Sequence, residues 1–102
     1  MKMKYYLLIP FLFVSGQALS ETVRAYIQGS TFIVSATNNS DVGLNCNETH
    51  TLSYTQFGEP KTYNSSSNFA IPKQANNMNV IIHQTTWDAT TLKIDSFNYQ
   101  CN

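Results

Sequence analysis

Two cysteines, two histidines and six carboxylates, with a large number of serines, are the groups in this chain able to carry covalent, acid–base or metal chemistry. Nucleophilic catalysis needs a Ser or Cys within reach of a His that an Asp or Glu orients. Those residue types exist here, as His50, His83, Asp88 and Asp95, but no local motif assembles them. There is no G-x-S-x-G, no H-E-x-x-H and no glycine-rich phosphate loop, and Gly16, Gly29, Gly43 and Gly58 stand far apart. The sequence predicts a protein that is not an enzyme.

Metal chemistry fares no better. Glu48 and His50, in the turn-like stretch Asn47-Glu48-Thr49-His50, offer two ligands without a third. His83 follows Ile81-Ile82, and on a strand it shares the face of Ile81, which suits a partly buried, hydrogen-bonded histidine. No metal and no cofactor are expected. Cys46 and Cys101 are the only cysteines and are too far apart for a C-x-x-C redox pair. In an oxidising compartment they pair as a disulfide. Closing a loop of about 55 residues stabilises a small domain by about 4 kcal/mol, comparable with its whole stability.

The first twenty residues, MKMKYYLLIPFLFVSGQALS, supply that compartment. Lys2 and Lys4 precede an apolar run from Tyr5 to Val14 broken only by Pro10, and Ala18-Leu19-Ser20 presents small residues where a signal peptidase reads. Residues 1–20 are therefore expected to be a helical signal peptide cut after Ser20. The apolar run is about half the ~20 residues that span a bilayer, so no stable anchor is expected to remain. Its short, lysine-led form points to a bacterial protein, periplasmic or secreted. Residues 21–102 then make one small domain.

This domain has four basic residues (Arg24, Lys61, Lys73, Lys93) against six acidic ones (Glu21, Asp41, Glu48, Glu59, Asp88, Asp95). With no basic patch, nucleic acid is excluded as a partner. Ser, Thr, Asn and Gln fill 35 positions of residues 21–102, a composition that favours strands and turns over helices.

Period-two alternation runs through the chain. Val23, Ala25 and Ile27 alternate with Thr22, Arg24 and Tyr26, and Gly29-Ser30 reads as a tight turn. Phe32, Val34 and Ala36 share one face of the next strand, which Asn38-Asn39-Ser40-Asp41 ends. Val42–Cys46 and the stretch from Leu52 read as two further short strands, the latter closed by Gly58-Glu59-Pro60. Asn64–Asn68 is polar throughout and reads as a surface loop before the short strand Phe69–Ile71, and Asn76-Asn77 marks another turn. Met78–Thr85, with Val80-Ile81-Ile82, is the most apolar stretch and the expected central strand, with Trp87 covering the core. Leu92 and Ile94 alternate out of phase with Phe97, Tyr99 and Cys101, which predicts a β-bulge near Asp95-Ser96. The sequons at Asn38, Asn47 and Asn64 are read as turns.

About seven short strands with turns between them predict an all-β fold, a small antiparallel β-sandwich with one disulfide; an open barrel is the alternative. The nine aromatics of the domain exceed what its core needs, and Tyr26, Tyr63 and Asn64 are the expected exposed binding surface. The function expected is an exported, non-enzymatic binding or interaction module for a protein or glycan. The alternative is a structural assembly subunit, pilin-like, that pairs through its edge strands.

Overall fold

The computed structural model describes residues 21–102; the expected leader and its cleavage point lie outside the described residues. Among these residues the fold is all β: β1 (Glu21–Gln28), β2 (Thr31–Asn38), β3 (Leu44–Gln56), β4 (Glu59–Ile71), β5 (Met78–Gln84) and β6 (Lys93–Cys101). They form two antiparallel three-stranded sheets, ordered β1-β2-β5 and β4-β3-β6. Both sheets contribute to one core built on Val23, Phe32, Val34, Ala36, Cys46, Leu52, Phe69, Ile71 and Leu92. At the sides of this sandwich β1 runs along β6 and β4 along β5.

Local chemistry explains the first hairpin. Gln28 pairs with Thr31, leaving Gly29-Ser30 as a two-residue turn in which Gly29 takes a positive φ. A turn of this kind matches the twist of the strands it joins, and glycine adopts it without strain. The expected alternation holds in β1 and on the inner side of β2, where Phe32 and Val34 are fully buried.

Six strands replace the seven expected, because two polar stretches belong to strands. The segment around His50 is the middle of β3, and Asn64–Asn68 lies within β4; the two strands pair over thirteen residues from Leu44↔Ile71 to Gln56↔Glu59. Neither is a turn or a loop, and the sequons at Asn47 and Asn64 accordingly lie in mid-strand. Asn38, by contrast, stands at a strand end as expected, but its side chain is wholly buried. Its Nδ2 donates to the carbonyls of Val42 and Pro72, and its Oδ1 accepts from the Ser40 amide and hydroxyl. One side chain thus ties the β2–β3 connection to the β4–β5 connection, and its own buried amide is satisfied on both its oxygen and its nitrogen.

The phase shift at Asp95 is a bulge. Thr51 pairs with Ser96 and Leu52 with Ile94, so Asp95 is extra and both apolar sets of β6 face inward. A second bulge, unmarked in the sequence, places Val80 outside the ladder between Val34↔Ile81 and Ser35↔Asn79. The expected disulfide joins Cys46 to Cys101, directly opposed residues of β3 and β6 with Cα atoms 4.0 Å apart. This is close to the ~4.5 Å of a non-hydrogen-bonded antiparallel pair. The bridge is consistent with an extracellular or periplasmic location.

At the β3–β4 tip the turn is Phe57-Gly58, both at positive φ, with Phe57 96% exposed. The tip is braced by Tyr54 stacked on Trp87 at 4.0 Å and by the Thr55 amide donating to Thr91 Oγ1. Asp88 organises the loop that carries Trp87; the Thr90 amide, then its hydroxyl, hold the Asp88 carboxyl below its ordinary value.

Two stability measurements check this account. Replacing both Cys46 and Cys101 by Ser is expected to lower the unfolding free energy by about 4 kcal/mol in denaturant titration under oxidising conditions. Phe57→Asn should raise it by about 1 kcal/mol, since asparagine tolerates the left-handed region that the turn requires; a loss of stability would contradict the turn geometry.

Candidate interaction surface

Three of the groups able to do chemistry, Cys46, Glu48 and His50, are turned inward by β3. Its even-numbered side chains, Cys46, Glu48, His50 and Leu52, are buried, and the odd-numbered Asn45, Asn47 and Thr49 are exposed. Glu48, 1% exposed, accepts a hydrogen bond from His50 Nδ1 at 2.8 Å and one from the Ser67 hydroxyl at 2.6 Å. The carboxylate therefore stands between the hydroxyl and the imidazole. In a hydrolytic triad the imidazole occupies that middle place and takes the hydroxyl proton. Here Ser67 has no imidazole to activate it, and His50 Nε2 is enclosed without a partner beneath the ring of Phe32, stacked at 4.2 Å.

The arrangement acts as a polar tie within the sandwich. A buried carboxylate is tolerated when hydrogen bonds replace its lost water, and Glu48 draws them from its own strand and from β4. Rings continue the packing: Tyr63 lies 5.4 Å from His83 and 5.3 Å from Trp87, joining β4 to β5 and to the Trp87 loop. His83 is half-buried on the inner side of β5, the position its sequence context predicts. No group of three or more His, Cys, Asp or Glu among the described residues is placed to hold a metal ion.

The expected surface of Tyr26, Tyr63 and Asn64 does not assemble. Tyr63 and Asn64 are successive residues of β4 and so point to opposite sides of the sheet; Tyr63 packs against the core and is not a solvated contact residue. Tyr26 is exposed on the outer face of the other sheet, in one row with Ile33 and Ile82. Asn64 alone lies on the outer face of β4-β3-β6, where it accepts from Thr51 Oγ1 at 2.7 Å.

That outer face is the feature the sequence reading missed. Register places three successive rows across it: Asn68–Asn47–Gln100, Ser66–Thr49–Asn98 and Asn64–Thr51–Ser96. Every side chain in these rows is a neutral amide or hydroxyl, and charge returns only beyond them, at Lys93 and Asp95 beside Ser53. Shallow depressions follow the rows. One of about 460 Å³ is lined by Asn45, Cys46, Asn47, Asn68, Phe69 and Asn102, and one of about 220 Å³ by Asn47, Thr49, Asn98, Tyr99 and Gln100. The signal was the alternation Asn45, Asn47, Thr49, Thr51, Ser53. It was masked because Glu48 and His50, polar by type, occupy the inward set.

The buried tie makes a prediction. Glu48→Ala should cost about 3 kcal/mol by denaturant unfolding, because His50 and Ser67 both lose their acceptor. Changing Glu48 and His50 together to Leu should recover most of that loss. No protein-family model, no curated protein and no solved structure matches the chain.

Proposed function

We propose that this chain is an exported, non-enzymatic interaction module of the bacterial periplasm or exterior, and that it holds a neutral glycan on the outer face of β4-β3-β6. The observation that carries this reading is the set of three charge-free rows centred on Asn47, Thr49 and Thr51. Amides and hydroxyls supply donors and acceptors side by side, the complement of a sugar's hydroxyls. A face without charge has no means of attracting phosphate or polyanions by long-range steering. The leader motif and the disulfide support export. The internal hydrogen bonds of Glu48, His50 and Ser67 support a reading without catalysis.

A protein ligand would seek an apolar centre with a polar rim, which this face lacks. The second reading, an assembly subunit that pairs through edge strands, predicts open polymers that grow with concentration. The bulges against β2 and β3 disturb two of the four sheet edges and oppose such growth.

The test is calorimetric titration of the exported chain with neutral β-glucan, chitin-type and α-glucan oligosaccharides. Asn47→Leu should weaken binding at least tenfold with the melting temperature unchanged, and Tyr26→Ala should leave binding as it was. Absence of binding to all three classes, or equal binding by Asn47→Leu, would remove the glycan reading.

A further inference from the structure

The four sheet edges are not equally protected. Exposed edges invite pairing with other chains, and proteins blunt them with charge, proline or bulges. β1 carries Glu21 and Arg24, β5 has its bulge at Val80, and β6 has both a bulge and the charges of Lys93 and Asp95. β4 carries Glu59, Pro60 and Lys61 at the hairpin tip only. From Thr62 to Ile71 it has no charge, proline or bulge, and it pairs with β3 in unbroken register. β5, which runs beside it, belongs to the facing sheet and makes no ladder with it.

The direction of the free backbone groups follows from the register. The Asn102 amide donates to the Asn45 carbonyl, and the Thr55 amide turns to Thr91 and away from β4, so odd residues of β3 address the β6 side and even ones address β4. Because even residues of β3 pair with odd residues of β4, it is Thr62, Asn64, Ser66, Asn68 and Ala70 whose N–H and C=O point away from the sheet. Pro60 falls in this outward set, where its missing N–H costs no bond to β3.

The segment Asn64-Ser65-Ser66-Ser67-Asn68 reads the same in both directions, and aromatic residues, Tyr63 and Phe69, flank it symmetrically. A two-fold contact requires a surface to complement itself. Antiparallel pairing of β4 with β4 of a second copy, with the axis at Ser66, meets that requirement residue by residue. Ser66 faces Ser66, an outward-bonding position on both chains, and Asn64 faces Asn68 with amides able to bond each other. Tyr63 faces Phe69, an aromatic pair of the kind that stabilises sheets. Small serines at the centre leave the backbones free to approach.

We propose that this chain forms a closed homodimer by pairing β4 with β4 of a second copy about Ser66, giving one six-stranded sheet, β6-β3-β4-β4-β3-β6. The remaining edges are the guarded ones, so assembly stops at two. The proposal rests on the edge alone and stands apart from the glycan reading, since its test contains no glycan.

Sedimentation velocity of the exported chain from micromolar to near-millimolar concentration is expected to show a monomer–dimer equilibrium without larger species. Ser66→Lys, which sets like charges opposite each other at the axis, should weaken the dimer by about tenfold or more, while Ser96→Lys on β6 should not; melting temperature checks that both fold. Ser66→Cys should cross-link two chains on oxidation and Ser96→Cys should not. Amides of Thr62, Asn64, Ser66, Asn68 and Ala70 should gain exchange protection as concentration rises. A monomer at every concentration, polymers in place of dimers, a dimer indifferent to Ser66→Lys, or equal cross-linking through Cys at position 96 would overturn the proposal.

Discussion

β3 is the strand on which the domain depends, because it alone in its sheet is hydrogen-bonded on both sides and its alternation sorts the chain's polar chemistry from its contact surface. Its even residues fill the interior and its odd residues face solvent. The Cys46–Cys101 bridge fixes that strand to β6 in one register. Without a definite register, thirteen residues containing so few large apolar side chains would pair loosely, since a slip by one moves every side chain to the other face.

Buried polar groups make the same register specific. A one-residue slip in β3 would expose Leu52 and drive Asn47 and Thr49 into the core, and it would part Glu48 from Ser67. Asn38 does the corresponding work at the end of the sandwich, where its side chain bonds across two connections. In a domain with a small apolar core, such ties cost desolvation but leave competing pairings with unsatisfied groups, which is a larger cost. The enclosed Nε2 of His50 is the one buried side-chain nitrogen or oxygen among the described residues without a hydrogen-bond partner, and the Phe32 ring stacks on its imidazole.

The two outer faces differ in kind. On β1-β2-β5, Tyr26, Ile33 and Ile82 form an apolar row beside Arg24; on β4-β3-β6 the three rows centred on Asn47, Thr49 and Thr51 are amide and hydroxyl. A β4-to-β4 dimer would double the second face and leave the first unchanged. The amide face and the unguarded edge meet at Asn64, Ser66 and Asn68, so ligand binding and dimerisation would share those residues.

Much was legible in residue types. The pairing of the two cysteines follows from their number, the alternation in β1 and β2 from apolar spacing, and the bulge at Asp95 from a phase change between Ile94 and Phe97. These signals are local, and each needs only neighbouring side chains to be compared. The length of β3 and β4, the inward turn of Glu48, His50 and Tyr63, and the common surface of Asn47, Asn68 and Gln100 were not legible. Polar residues spaced by two look like loop when read along the chain, and only cross-strand pairing reveals which of them are satisfied inside. Composition and spacing by themselves determined that this is a disulfide-linked β domain; long-range register, which joins residues up to 55 positions apart, decided which side chains are buried and which surface is offered.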